Sequence, residues 1–109
     1  MRMMLSLTIP VEAGNEAART GALGSTMEKI LTDMKAEAAY FTATPAGERG
    51  GVIIFDLKDA SQIPSIAEPL FLAFNAKITI APVMTPQDLA KAVPSIAKAV
   101  KAYGKAASA

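Results

Sequence analysis

Residues 59–84 carry two periodicities back to back, and that junction limits what the chain can become. Ile63, Ile66, Ala67, Leu70, Phe71 and Phe74 recur at i, i+3, i+4, i+7, i+8 and i+11, the apolar stripe of a helix lying on a core. After Asn75, a candidate C-cap, Lys77–Ile80 alternates strictly, which is the period of a half-buried strand. A helix that runs straight into a strand has to cover a sheet, and the rest of the chain supplies one.

The first segment, Arg2–Ile9, alternates with Met3, Leu5, Leu7 and Ile9 on one side and Arg2, Met4, Ser6 and Thr8 on the other. Met1–Val11 has the outline of a signal peptide, but its apolar run is short and broken by Ser6 and Thr8. A strand is therefore expected there, with the cytoplasm as the default compartment. Pro10 ends that strand, Val11–Gly14 reads as a loop, and Asn15 as the N-cap of a helix interrupted near residues 21–24 by Gly21 and Gly24. Ser25 to Glu28 reads as a capping box for its second half, which carries Leu23, Met27, Ile30, Leu31 and Met34 and runs to about Lys35. Glu37–Ala43 and Val52–Leu57 form a hairpin across a turn at Pro45–Gly51.

Asp59, with Gln62 completing a box, opens the central helix; Ser65 with Glu68 is an alternative start. Pro64 fits a first turn, whereas Pro69 bends the helix. A strand at Lys77–Pro82 leads to Thr85 as N-cap and Pro86 at the first position of a final helix. One side of that helix holds Leu89, Val93, Ile96, Ala97, Val100 and Tyr103, with Lys91, Lys98, Lys101 and Lys105 roughly opposite. Pro94 is expected to kink it, Gly104 to close it, and residues 105–109 to fray.

The order β-α-β-β-α-β plus one helix predicts an α+β, ferredoxin-like fold, with residues 1–109 as a single domain. Parity places Met3, Leu5, Leu7, Ile9, Phe41, Ile53, Phe55, Leu57, Ile78 and Ile80 under the helices. The other face receives Arg2, Met4, Ser6, Thr8, Tyr40, Thr42, Val52, Ile54, Asp56, Lys77 and Thr79. That mixture is too apolar for water and too polar for a dry core, and it suits pairing with a second copy, sheet to sheet. Twenty-two alanines inflate the hydrophobic share of 51% and point to close helix packing or to surface covered by a partner chain.

Glu37-Ala-Ala-Tyr-Phe, Ile63-Pro-Ser-Ile-Ala-Glu-Pro-Leu-Phe and Phe74-Asn-Ala-Lys with Pro82-Val-Met-Thr resemble small bacterial proteins of unknown function in the dimeric α/β-barrel superfamily. The likeness covers about residues 1–90, and its motifs are structural rather than catalytic. It implies a ferredoxin-like protomer and a homodimer whose two sheets form a barrel. The superfamily includes muconolactone-isomerase-like enzymes, cofactor-free monooxygenases and haem-dependent peroxidases. This chain has no histidine, which departs from the haem branch and its proximal His.

With neither cysteine nor histidine, the chain lacks disulfides, thiolate chemistry, the commonest metal ligand and the usual acid/base group near neutral pH. Asp and Glu show no metal-loop spacing, so neither a metal nor a cofactor is expected. The net charge of +1 speaks against nucleic acid as a partner, and no apolar run is long enough for a membrane span. Seven residues stand out as ligand-binding candidates: Arg2, Ser6, Thr8, Tyr40, Asp56, Glu68 and Lys77. Arg2 and Lys77 suit an anionic ligand, Tyr40 can donate a hydrogen bond or act as an acid, and Ser6 and Thr8 can hydrogen-bond in a pocket. The bland reading is that Arg2 and Lys77 pair with Asp56 across strands or snorkel at a dimer rim. Glu68, before Pro69, either faces a pocket between helix and sheet or caps Ser65 or is solvated. No catalytic residue can be assigned. The expected function is a dimeric small-ligand-binding or interaction module; the alternative is a cofactor-independent isomerase or monooxygenase-like enzyme on a small anionic or hydrophobic metabolite.

Overall fold

A computed structural model describes residues 1–104 of the chain. Four strands, β1 (Arg2–Ile9), β2 (Ala38–Ala43), β3 (Arg49–Asp56) and β4 (Lys77–Pro82), form one antiparallel sheet in the order β2-β3-β1-β4. Four α-helices accompany it: α1 (Val11–Arg19), α2 (Ala22–Asp33), α3 (Ile63–Phe74) and α4 (Pro86–Tyr103). This is an α+β fold, consistent with the split-βαβ pattern followed by an added helix.

The alternation in β1 does what its period requires. Met3, Leu5, Leu7 and Ile9 are buried, and Ile53 and Phe55 of β3 lie on the same side. Met27 and Ile30 of α2, Met34 just after it, and Ala67, Leu70 and Phe74 of α3 close over them. Leu57, Ile78 and Ile80 pack against this core half-buried, as parity requires. Leu5, Ile53, Phe55, Leu70 and Phe74 are almost fully enclosed, each contributing about 1.5–3 kcal/mol by leaving water. Phe41 shares that face yet stays 52% exposed, on the edge strand β2 and beside open space rather than a packed helix.

Several ends differ from the sequence expectation. Val11–Gly14 is the start of α1, not a loop: Gly14 N–H donates to Pro10 O at 2.9 Å, and Asn15 is not a cap. The break falls at Thr20-Gly21, where Gly21 takes a left-handed φ of 78° that a side chain would strain. That reversal lets α2 begin at Ala22, so Ser25 lies within it and its hydroxyl donates back to Gly21 O and Ala22 O. At the far end Lys35 is left-handed at φ 53°, with Lys35 N–H to Thr32 O and Ala36 N–H to Leu31 O, a Schellman closure.

The Asp59–Gln62 box forms around a 3₁₀ turn at Ala60–Gln62 that leads into α3, and Asn75 ends α3 in the left-handed region. Ile63 and Phe71 of the expected stripe remain about two-fifths exposed. Thr85 and Asp88 cap α4 reciprocally, with Asp88 N–H to Thr85 Oγ1 at 3.1 Å and Thr85 N–H to Asp88 Oδ2 at 3.0 Å. α4 closes at Gly104 as anticipated, though Gly104 is right-handed; Lys105 and the fraying expected of residues 105–109 lie outside the described residues.

Candidate functional site

The expected turn at Pro45–Gly51 is shorter, spanning residues 44–48, with Gly47 at φ 80° and Gly47 N–H donating to Thr44 O. Arg49, Gly50 and Gly51 join β3 instead. The glycines serve close approach rather than turning. A Cβ on Gly51 would stand 2.4 Å from Tyr40 O and 2.8 Å from a Phe41 ring carbon; one on Gly50 would stand 2.9 Å from Leu7 O. Gly51 sits between Leu7 and Phe41 in the register, so the helix-facing floor lacks a side chain at that point.

Above this floor lies a cavity of about 570 Å³ between α2 and the β2–β3 side of the sheet. Leu7, Ile9, Leu23, Met27, Leu31 and Phe41 supply its apolar walls; Glu28 and Arg49 bring its charged groups, and Thr42 of the edge strand borders it. Its size and its few polar groups among apolar walls are those of a small-molecule site. Arg49 lies opposite Ile9 and Ala43, on the helix side of the sheet. Its Nη1 donates to Asn15 Oδ1 at 3.0 Å, and the guanidinium passes so close to Gly14 that a Cβ there would meet Nη1 at 2.6 Å. Among the described residues Arg49 has no carboxylate partner within ion-pair distance. A guanidinium steered by one bond keeps its other N–H groups for a guest.

By sequence Asn15 and Glu28 read as capping residues, Gly14 as part of a loop and Arg49 as part of a turn, and none of the four as belonging to a ligand site. The signal was parity: counted back from Ile53 and Phe55, position 49 falls on the helix face.

The seven sequence candidates occupy other places. Register aligns Tyr40, Val52, Ser6 and Thr79 in one row across the open face, and Thr42, Gly50, Thr8 and Lys77 in the next. Tyr40 and Lys77 thus stand on opposite edge strands, three strand spacings or about 14 Å apart, and do not converge. Ser6, Thr8 and Lys77 border a shallow depression of about 180 Å³. Arg2 and Asp56 are register partners but each bonds elsewhere, Arg2 Nε to Glu37 Oε2 at 3.0 Å and Asp56 Oδ1 to the Met1 ammonium at 2.7 Å. The hydrogen bond from that ammonium holds the Asp56 carboxyl below its ordinary value, helped by Lys58 and Arg2. Glu68 is exposed on α3, and Ser65 Oγ donates to Gln62 O rather than receiving a cap from it. Among the described residues no group of three His, Cys, Asp or Glu side chains suits a metal ion, and no helix is long and apolar enough to cross a membrane.

Fold and cavity together define an α+β protein with a four-stranded antiparallel sheet and a largely apolar pocket on its helical side. No protein-family model matches the chain, and no curated protein matches it. Among solved structures it is similar to a formyltetrahydrofolate deformylase from Pseudomonas putida KT2440, at 13% identity over 76% of this chain and a TM-score of 0.49. The chain spans 29% of that protein's chain.

Proposed function

We propose that this chain is a ligand-binding module for a small apolar molecule with one hydrogen-bond-accepting head group, such as a monocarboxylate. The observation that carries this reading is Arg49, held by Asn15 at the lining of a largely apolar cavity. Apolar walls take the body of the guest through burial, at about 25 cal/mol per Å². Arg49 supplies a charge-assisted donor for its head group. Glu28 shares the lining, and a second negative charge brought beside its carboxylate is disfavoured, which argues against a polyanion.

The module works as a ferredoxin-like homodimer whose open sheet faces meet. Half-buried Met4, Val52 and Ile54, interleaved with Ser6 and Thr8 and flanked by exposed Tyr40, support this. The reading assigns Arg2, Ser6, Thr8, Tyr40, Asp56 and Lys77 to the interface and its rim.

Calorimetric titration with decanoate and with decylammonium tests the ligand class. Decanoate binds, decylammonium binds at least tenfold more weakly, and Arg49→Met removes that preference. Equal binding of the two probes, or an Arg49→Met protein with unchanged preference, overturns the reading. Native mass spectrometry tests the dimer, and a monomer at every concentration sinks it.

A further inference from the structure

α4 has 18 residues and buries none of them. The protein is drawn out to 61 Å along its long axis, against 31 and 21 Å across. Its Cα radius of gyration of 18.5 Å exceeds the roughly 13 Å of a compact chain of this length. Leu89, Val93, Ile96, Val100 and Tyr103 consequently remain 47, 53, 51, 62 and 79% exposed.

Their spacing alternates four and three residues, the 3.5 period of a coiled-coil seam rather than the broader face of a core helix. Ala90, Ala92, Ala97 and Ala99 flank the seam on both sides, small enough to let a second helix approach closely. Lys91, Lys98 and Lys101 lie away from it. A second identical helix therefore meets no like charge along the seam, and no flanking charge selects an oppositely charged stranger. Ile96 is the middle residue of the five, with Leu89 and Tyr103 seven residues to either side and Val93 and Val100 three and four residues away.

We infer that α4 pairs with α4 of a second copy of this chain, with Ile96 meeting its own counterpart near the crossing. One helix pair of this length falls short of the ~1,200 Å² that a stable interface buries. The pairing therefore rests on the homodimer proposed above and adds a second surface to the sheet faces.

The chain has no cysteine, so a single introduced one reports on its own copy. Under mild oxidation Ile96→Cys forms a disulfide-linked dimer in at least tenfold higher yield than Ser95→Cys, whose side chain lies off the seam. The double variant Val93→Glu/Val100→Glu raises the dimer dissociation constant at least tenfold in analytical ultracentrifugation. Both variants keep the melting transition of the dilute monomer, because α4 contributes nothing to its core. A wild-type dimer with equal cross-linking at both positions, or one that the double glutamate variant leaves intact, overturns α4 pairing while the sheet-face dimer stands. A wild-type monomer at every concentration overturns both.

Discussion

α3 and α4 are written in similar terms and end in opposite circumstances. Each follows a capping box, carries an internal proline, Pro69 or Pro94, and shows an apolar stripe at helical spacing. α3 buries Ala67, Leu70 and Phe74 against the sheet; α4 buries nothing. Amphipathicity thus says that a helix has a face to cover, not what covers it. The difference lies in the connections. α3 is followed by Asn75 in a left-handed turn and then by β4, which pairs with β1 and draws the helix back over the sheet. α4 follows the edge strand β4, and no further strand among the described residues returns it.

The largest effect that sharpens this contrast is a cavity mutation on each helix. Leu70→Ala costs about 2–5 kcal/mol, since Leu70 has no exposed surface and its cavity cannot collapse freely. Ile96→Ala changes the unfolding free energy of dilute monomer, read by chemical denaturation, by less than ~0.5 kcal/mol. Similar losses at both sites would mean that α4 packs on its own body, and the contrast would break.

A smaller pair separates the rigid floor of the cavity from its movable arginine. Gly51→Ala drives a Cβ into Tyr40 O, a backbone atom, and costs about 1–3 kcal/mol in chemical denaturation. Gly14→Ala meets only the flexible Arg49 side chain, from Cδ to Nη1, and alanine's helix propensity offsets about 1 kcal/mol. Its stability therefore stays near wild type while Arg49 is pushed off Asn15 and decanoate binding weakens.

Thr85→Ala removes the cap of a helix with no core packing to hold it. Amide exchange at residues 87–90 accelerates by the equivalent of about 1 kcal/mol, with the melting of the body unchanged.

The smallest effect is that of acid. Asp88 is held below its ordinary 3.8 by hydrogen bonds from the Thr85 backbone and hydroxyl, and Asp56 by the Met1 ammonium. A depressed folded pKa means that the contribution is present above 3.8 and is lost as pH falls through the folded value. Both carboxylates are solvent-exposed, so the loss is local. NMR titration shows the start of α4 and the Met1–Asp56 contact loosening below 3.8 without global unfolding.

What was legible beforehand was short-range. The parity of Arg2–Ile9, the Asp59–Gln62 and Thr85–Asp88 ends, and the left-handed Asn75 each depend on residues within a few positions of one another. The misplaced ends have a common cause. Ser25 to Glu28 has the composition of a capping box, but the reversal at Gly21 already started the helix. Gly50 and Gly51 have turn composition, yet pairing with Leu7, Thr8, Phe41 and Thr42 held them in the sheet. The candidate cavity was hidden for that reason: it appears only once β3 extends back to Arg49 and places that side chain beside Asn15 of α1, 34 residues away in sequence.

The sequence by itself determined the element order, the two faces of the sheet and the caps at Asp59 and Thr85, because periodicity and capping are local. Only the tertiary structure decided that Arg49 lines an apolar cavity and that α4 stands clear of the core. Both depend on which distant segments pair and how far the pairing runs, and no window of neighbouring residues encodes that.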